Sequence, residues 1–308
     1  MSRLGGEAAS TATLEGHSHI VNALCVYNDT LCSGSIDTTI RLWDLTSNTC
    51  TTTLKGRSHI VTALCVYNDT LCSGSRDHTI RLWDLTSNTC TTTFKGHSHI
   101  VTALCVYNDT LCSGSDDRTI RLWDLTSNTC TTTLKGHSHI VNALCVYNDT
   151  LCSGSDDRTI RLWDLTSNTC TTTLKGHSHI VTALCVYNDT LCSGSGDHTI
   201  RLWDLTSNTC TTTLKGHSHI VTALCVYNDT LCSGSDDTTI RLWDLTSNTC
   251  TTTLKGHSHI VNALCVYNDT LCSGSDDRTI RLWDLTTNMR QGEHKTAIIG
   301  DIPIYLHI

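Results

Sequence analysis

Three residue types are almost missing from this chain of 308 residues, which has one Pro, one Phe and two Met. A single Pro leaves no Pro-rich linker to hold separate domains apart. Charged residues are sparse at 16%, and Thr, Ser and Asn carry much of the polar load. No apolar run approaches the roughly 18 residues of a membrane-spanning helix. The opening stretch, MSRLGGEAAS, lacks the apolar core of a secretory leader. Basic residues are outnumbered, 21 Lys and Arg against 29 Asp and Glu, for a net charge of −8. That balance offers no basic stripe for nucleic acid. Helical periodicity is missing as well, since no apolar set recurs every 3.6 residues. The expectation is a soluble, cytoplasmic, all-β protein that binds neither membrane nor nucleic acid.

What the chain does have is one unit, repeated. The stretch Gly16 to Asp44, GHSHIVNALCVYNDTLCSGSIDTTIRLWD, recurs every 40 residues, and the seven copies contain all seven Trp residues. Modules that cannot bury their own faces must share one core, so the repeat sets the fold. Each unit reads as four short strands: Ile20–Tyr27, Thr30–Ser35, Thr39–Leu45 and Cys50–Lys55. They are rich in Val, Ile, Leu, Thr and Cys and are separated by turn residues. Asn28-Asp29 is a two-residue hairpin signal. It sets Tyr27 against Thr30, Val26 against Leu31 and Cys25 against Cys32. Leu24, Val26, Leu31 and Ser33 then share one face, and Ala23, Cys25, Cys32 and Gly34 the other. Both faces are apolar or small, so both must be covered.

The chain begins with a fourth-strand segment, Thr11–Glu15, and its periodic region stops near Asn288, after a third strand. Residues 1–10 read as a leader, 11–288 as the repeat domain and 289–308 as a non-repeat tail. Only a ring in which Thr11–Glu15 completes the last sheet leaves no bare edge. The 20 Cys, two in every copy and a third near Cys50 in six of them, are expected as free thiols packed as small hydrophobes. The Cys25–Cys32 pair nevertheless lies at a separation that a disulfide could just bridge.

Gly16-His17, Ser33-Gly34-Ser35, Asp37 and Trp43-Asp44 resemble the signature of WD-repeat β-propellers, in seven copies from Thr11 to about Asn288. The resemblance implies a closed seven-bladed β-propeller of four-stranded antiparallel blades, with the N-terminal strand completing the last one. It also implies a hydrogen-bonded tetrad in each blade. The matching residues are His17, Ser33, Asp37 and Trp43; His97, Ser113, Asp117 and Trp123; His137, Ser153, Asp157 and Trp163. They continue as His177, Ser193, Asp197 and Trp203; His217, Ser233, Asp237 and Trp243; His257, Ser273, Asp277 and Trp283. The second copy keeps Ser73, Asp77 and Trp83 but has Arg57 in place of the His. A buried Asp and a buried indole N–H each need a partner.

Ser, His and Asp together also suggest a catalytic triad. Catalysis needs one reachable nucleophile, however, and here the set recurs in a strand expected to be covered. His17-Ser18-His19 is too weak a pattern to assign a metal, and no cofactor motif is present. The Asn28-Asp29-Thr30 glycosylation sequon reads as a tight turn. Arg41 and its equivalents read as solvated strand residues, not a nucleic-acid track. His19 and its equivalents are placed on one rim.

Three positions vary repeatedly among otherwise near-identical copies. The first reads Asn22, Thr62, Thr102, Asn142, Thr182, Thr222, Asn262. The second, before the tetrad Asp, reads Ile36, Arg76, Asp116, Asp156, Gly196, Asp236, Asp276. The third, after it, reads Thr38, His78, Arg118, Arg158, His198, Thr238, Arg278. All lie at one end of the strands, so a ring gathers them on one face. The Asn28-Asp29 and Thr46-Ser47-Asn48 turns are nearly invariant although equally exposed, which argues against free drift of turn residues. The resemblance implies that the first two classes contact partners. The expected function is a non-catalytic, monomeric scaffold that binds a protein or peptide on this top face, with Arg76, Arg118, Arg158 and Arg278 as anchors. Two more specific alternatives are the ligand-sensing domain of an immune or self/non-self recognition system and the substrate-recruiting adaptor of a ubiquitin-ligase complex.

Overall fold

Two-residue turns and alternating small apolar side chains fold each unit into a meander. In the computed structural model, which describes residues 9–56 and 58–289, 28 strands numbered in chain order form seven four-stranded antiparallel sheets. β1 (Ala12–Leu14) precedes the first full sheet of β2 (Val21–Tyr27), β3 (Thr30–Ser35), β4 (Ile40–Asp44) and β5 (Thr49–Leu54). β6 to β25 repeat that set five times. The last sheet joins β26 (Val261–Tyr267), β27 (Thr270–Ser275) and β28 (Ile280–Asp284) to β1. The ring is therefore closed by its N-terminal strand, with Ala12 opposite Leu282 and Leu14 opposite Ile280. β3 has the expected bounds and β5 is shifted one residue toward the N-terminus, while β2 is one residue shorter than expected and β4 and β1 are two residues shorter. A short helix, Leu285–Met289, stands where earlier units turn into a fourth strand, and its Leu285 is buried. Residues 1–8, Arg57 and 290–308 lie outside the described residues. Most of the expected leader, the tail beyond Met289 and the Arg57 substitution therefore get no structural account.

The β2–β3 register is the expected one, with Cys25 opposite Cys32 and Tyr27 opposite Thr30. Asn28 takes φ 49° in this turn. The core lies between blades. One face of the first blade offers Ala23, Cys25, Cys32, Ile40, Leu42 and Leu54 to Val61, Leu64, Leu71 and Trp83 of the second. Its other face offers Leu24, Leu31 and Trp43 to the last blade. Blade spacing explains Gly34, where a Cβ would meet Val61 Cγ1 at 2.5 Å. All 20 Cys are free thiols, and burial pushes the Cys25 thiol well up, reinforced by its contact with Cys32.

Hydrogen bonds also join neighbouring blades. Asn22 is the extra residue of a bulge between Val21 and Ala23, and its Nδ2 donates to Val61 O at 3.0 Å. Thr62 makes the same kind of bond to Val101 O at 2.5 Å, and Asn262 closes the circle onto Val21 O at 3.2 Å. Such bulges bend a strand and turn a side chain off its ladder. At the opposite end of the strands, Tyr27 donates to Asp69 of the next blade, and Tyr267 donates to Asp29 across the closure.

Candidate functional site

In the first blade the Trp43 indole N–H donates to Ser33 Oγ at 2.8 Å. Ser33 Oγ lies 2.7 Å from His17 Nε2, and His17 Nδ1 lies 2.8 Å from Asp37 Oδ2. With imidazole neutral and its proton on Nδ1, donation runs one way, Trp to Ser to His to Asp, and each group is satisfied. His97, His137, His177, His217 and His257 sit in the same geometry, at 2.7–2.8 Å from their Ser and Asp. In the second blade Trp83 donates to Ser73 at 2.8 Å, and Asp77 takes a bond from Thr79 Oγ1 at 2.6 Å.

Burial alone would raise the Asp37 carboxyl. Bonds from His17 and Thr39 outweigh it and hold the group well below the ordinary carboxylate range. In Asp197 the same opposition, with bonds from Thr199 and His177, leaves it at about 2. Burial lowers His177, against the pull of Asp197. The Ser–His–Asp distances match those of a hydrolytic triad, but access does not. Ser33 and its six equivalents have no exposed surface, and an indole already occupies the oxygen. This arrangement fastens strands and offers no nucleophile to a substrate.

The tetrad Asp also builds the top of the blade. Asp37 accepts from Thr39 N at 2.9 Å and Ser18 N at 3.1 Å, while Thr38 N donates to Ser35 O at 3.2 Å. Positions 36 and 38 are half-buried in this turn, and Ile36 N donates to Ile20 O, just before β2, at 3.0 Å. The first-class and second-class side chains meet where Asn142 and Asn262 donate to Asp156 and Asp276 at 2.7 Å. The third class crosses between blades, where His78 and His198 stack on His99 and His219 of the next blade. Gly196 is buried, and a Cβ there would meet His179 Nδ1 at 2.3 Å. At these points the variable positions meet one another and the His19 row. First-class residues are half-buried and engaged with the neighbouring blade; third-class residues are the most open.

Two sequence inferences change. Arg41 is not a solvated strand residue. It is half-buried beside Trp43, with its Nη1 at 3.7 Å from Cys50 Sγ, and it and its six equivalents each have an enclosed Nε without a partner. Strand alternation puts it on the same blade face as Trp43. The near-invariant turns are also not free surface. Asp29 accepts from Tyr267, and Asp44 accepts from Thr46 N at 2.7 Å and Ser47 N at 3.0 Å. Their constancy has a structural cause and says nothing about drift.

Backbone conformation supplies the signal that sequence reading missed. Position 38 is left-handed in all seven blades, with φ between 67° and 71°. It holds Thr, His or Arg and never Gly or Asn. The other two left-handed turn positions, those of Asn28 and Asn48, hold Asn in every copy that adopts the conformation.

Among the described residues no group of three or more His, Cys, Asp or Glu is arranged to hold a metal, and no helix is long and apolar enough to cross a membrane. No curated protein matches the chain. The model of the WD domain, G-beta repeat, matches seven times, at residues 9–44, 48–84, 88–124, 128–164, 168–204, 208–244 and 248–284. Propellers of this kind are generally non-catalytic scaffolds for protein interaction. Seven matches, seven blades and a sheet closed by its first strand together make the chain a member of the WD-repeat family.

Proposed function

We propose that the protein is a non-catalytic, monomeric, cytoplasmic platform whose top face binds a protein or peptide. The observation that carries this reading is the left-handed backbone at position 38. A non-Gly residue there costs about 1–2 kcal/mol, and a β-branched one such as Thr38 or Thr238 is the least suited. The chain relieves the same conformation with Asn in its other turns. Strain that persists where a relaxed residue is available marks a side chain kept for what it does.

Arg118, Arg158 and Arg278 hold three of these positions, and Arg76 stands exposed in the preceding class. Each offers a planar fork of donors suited to carboxylates and backbone carbonyls of a polypeptide. The mixture of Arg, Asp, His and Ile suits a ligand of mixed charge better than a uniform polyanion. First-class residues form the floor of this surface, and second- and third-class residues its contacts. A ligand-sensing domain and a substrate-recruiting adaptor use the same face, and the identity of the captured protein separates them. The test replaces Arg76, Arg118, Arg158 and Arg278 by Ala in the full chain and compares partner capture with wild type. Lost capture with an unchanged melting temperature supports the reading, and unchanged capture refutes it.

A further inference from the structure

Two places on the top face differ from the other blade junctions. Only the second and fifth blades carry His in the third class, and both use it the same way. His78 stacks on His99 and His198 on His219, with ring centroids 6.0 Å apart and planes within 25° and 28°. Each pair borders a carboxylate of the second class. His99 acts on Asp116; His219 and His198 act on Asp236. Among the described residues neither carboxylate receives a hydrogen bond. Their neighbours Asp156 and Asp276 are each bonded by an Asn. In the blades of Asp116 and Asp236 the first-class residue is Thr, and Thr102 and Thr222 give their hydroxyls to Val141 O and Val261 O of the next blade. Half-burial first, and then the charges of Asp156 and Asp276, push Asp116 and Asp236 up, against the pull of His99 and Arg76 on the one and of His219 and His198 on the other.

A carboxylate without a donor beside stacked imidazole planes is complementary to one side-chain chemistry. A guanidinium donates a two-pronged bond to the carboxylate and lays its flat face on the rings. We propose that His78–His99–Asp116 and His198–His219–Asp236 are two subsites for arginine side chains of the partner polypeptide, open near neutral pH and closed when the imidazoles protonate. This rests on the top-face reading above.

The surrounding charges fix the direction of the switch. Around the first subsite stand Arg76, Asp156 and the tetrad Asp117, which is committed to His97. Around the second stand Asp276 and the tetrad Asp237, committed to His217. The Nδ1 atoms of His99 and His219 lie 3.0 and 3.1 Å from Ser98 and Ser218 Oγ. With neutral imidazoles the carboxylate dominates the second subsite, and in the first it shares the field with Arg76. Acid protonates imidazoles. Two cations then face each other across every stack and repel a third.

Fluorescence anisotropy of a labelled eight-residue peptide of alternating Arg and Gly, titrated with the full chain at pH 7.5 and 5.5, tests this. Wild type is expected to bind at pH 7.5 and to lose roughly tenfold in affinity at pH 5.5, the scale of exposed charge pairs reversed at two subsites. H78T/H198T, which installs the residue native to the first and sixth blades, should cut that loss to about twofold. D116N/D236N should weaken binding at pH 7.5 more than D156N/D276N does, with the melting temperature of each variant checking its fold. Equal wild-type affinity at both pH values, or undiminished pH dependence in H78T/H198T, overturns the proposal. So does absence of binding at pH 7.5, an outcome that leaves the face itself to be judged by the four-Arg variant.

Discussion

Deleting residues 1–15 removes the strand that closes the ring. β1 contributes three paired residues to β28, and Thr11 adds a backbone bond to Leu282 O at 2.8 Å. Arg281 Nη1 also reaches Ser10 Oγ at 3.1 Å. Leu14 is 3% exposed and packs with Leu24, Trp43 and Ile280. Burial of one Leu contributes about 2 kcal/mol, and each of the few ladder bonds about 1 kcal/mol. The expected loss is about 4–6 kcal/mol, a large share of the 5–15 kcal/mol that holds an ordinary domain together. The deletion also bares the edge of β28, and an unpaired edge recruits another strand. Every fourth strand is a near-copy of the lost one, so a second molecule can supply it. Differential scanning calorimetry and light scattering should show a melting temperature lower by many degrees together with self-association. The matched control is Leu134→Ala, at a site equally buried within an intact blade. It should destabilise by about 2–4 kcal/mol without association. A truncated chain that melts like wild type and stays monomeric would refute the closure argument.

Two further outcomes follow from the tetrad. Ser153→Ala leaves the Trp163 indole and His137 Nε2 without their shared partner and should destabilise by about 2–4 kcal/mol in chemical denaturation; a change under about 0.5 kcal/mol would contradict the wiring. Stability should also fall in acid. His177, lowered by burial, binds its proton more readily unfolded, so its contribution fades as pH drops through its unfolded value of roughly 6.5. The tetrad carboxylates, lowered overall, contribute fully above their unfolded value of roughly 3.9, and this is lost as pH falls toward their folded values, about 2 for Asp197. Melting temperature against pH should slope gently below neutrality and steeply below about 4. A flat profile to pH 3 would contradict it, and Asp197→Asn should reduce the steep part.

Much of this architecture could be read in the sequence because its determinants are local. A two-residue turn at Asn28-Asp29 dictates register, and register dictates which side chains share a face. The order of strands along the chain, fourth first and third last, already demanded closure. What escaped was interaction between blades. Tyr27 and Asp69 are 42 residues apart, and nothing in either unit alone reveals that they meet. The bulge at Asn22 turned a residue read as part of the binding face toward a neighbouring carbonyl. Arg41 was misread because charge suggested solvent, although period-two alternation already set it beside Trp43. The conformation of position 38 was hidden for a related reason. Left-handed turns usually announce themselves with Gly or Asn, and here neither is present.

That last point yields the most direct measurement of the functional account. Thr38, His78, Arg118, Arg158, His198, Thr238 and Arg278 are all replaced by Asn, the residue the chain uses in its other left-handed turns. Stability and partner capture are then measured on the same preparation. If these side chains are held against backbone preference for binding, the variant melts above wild type and captures nothing. A variant that is stabilised and still captures the partner would contradict the account.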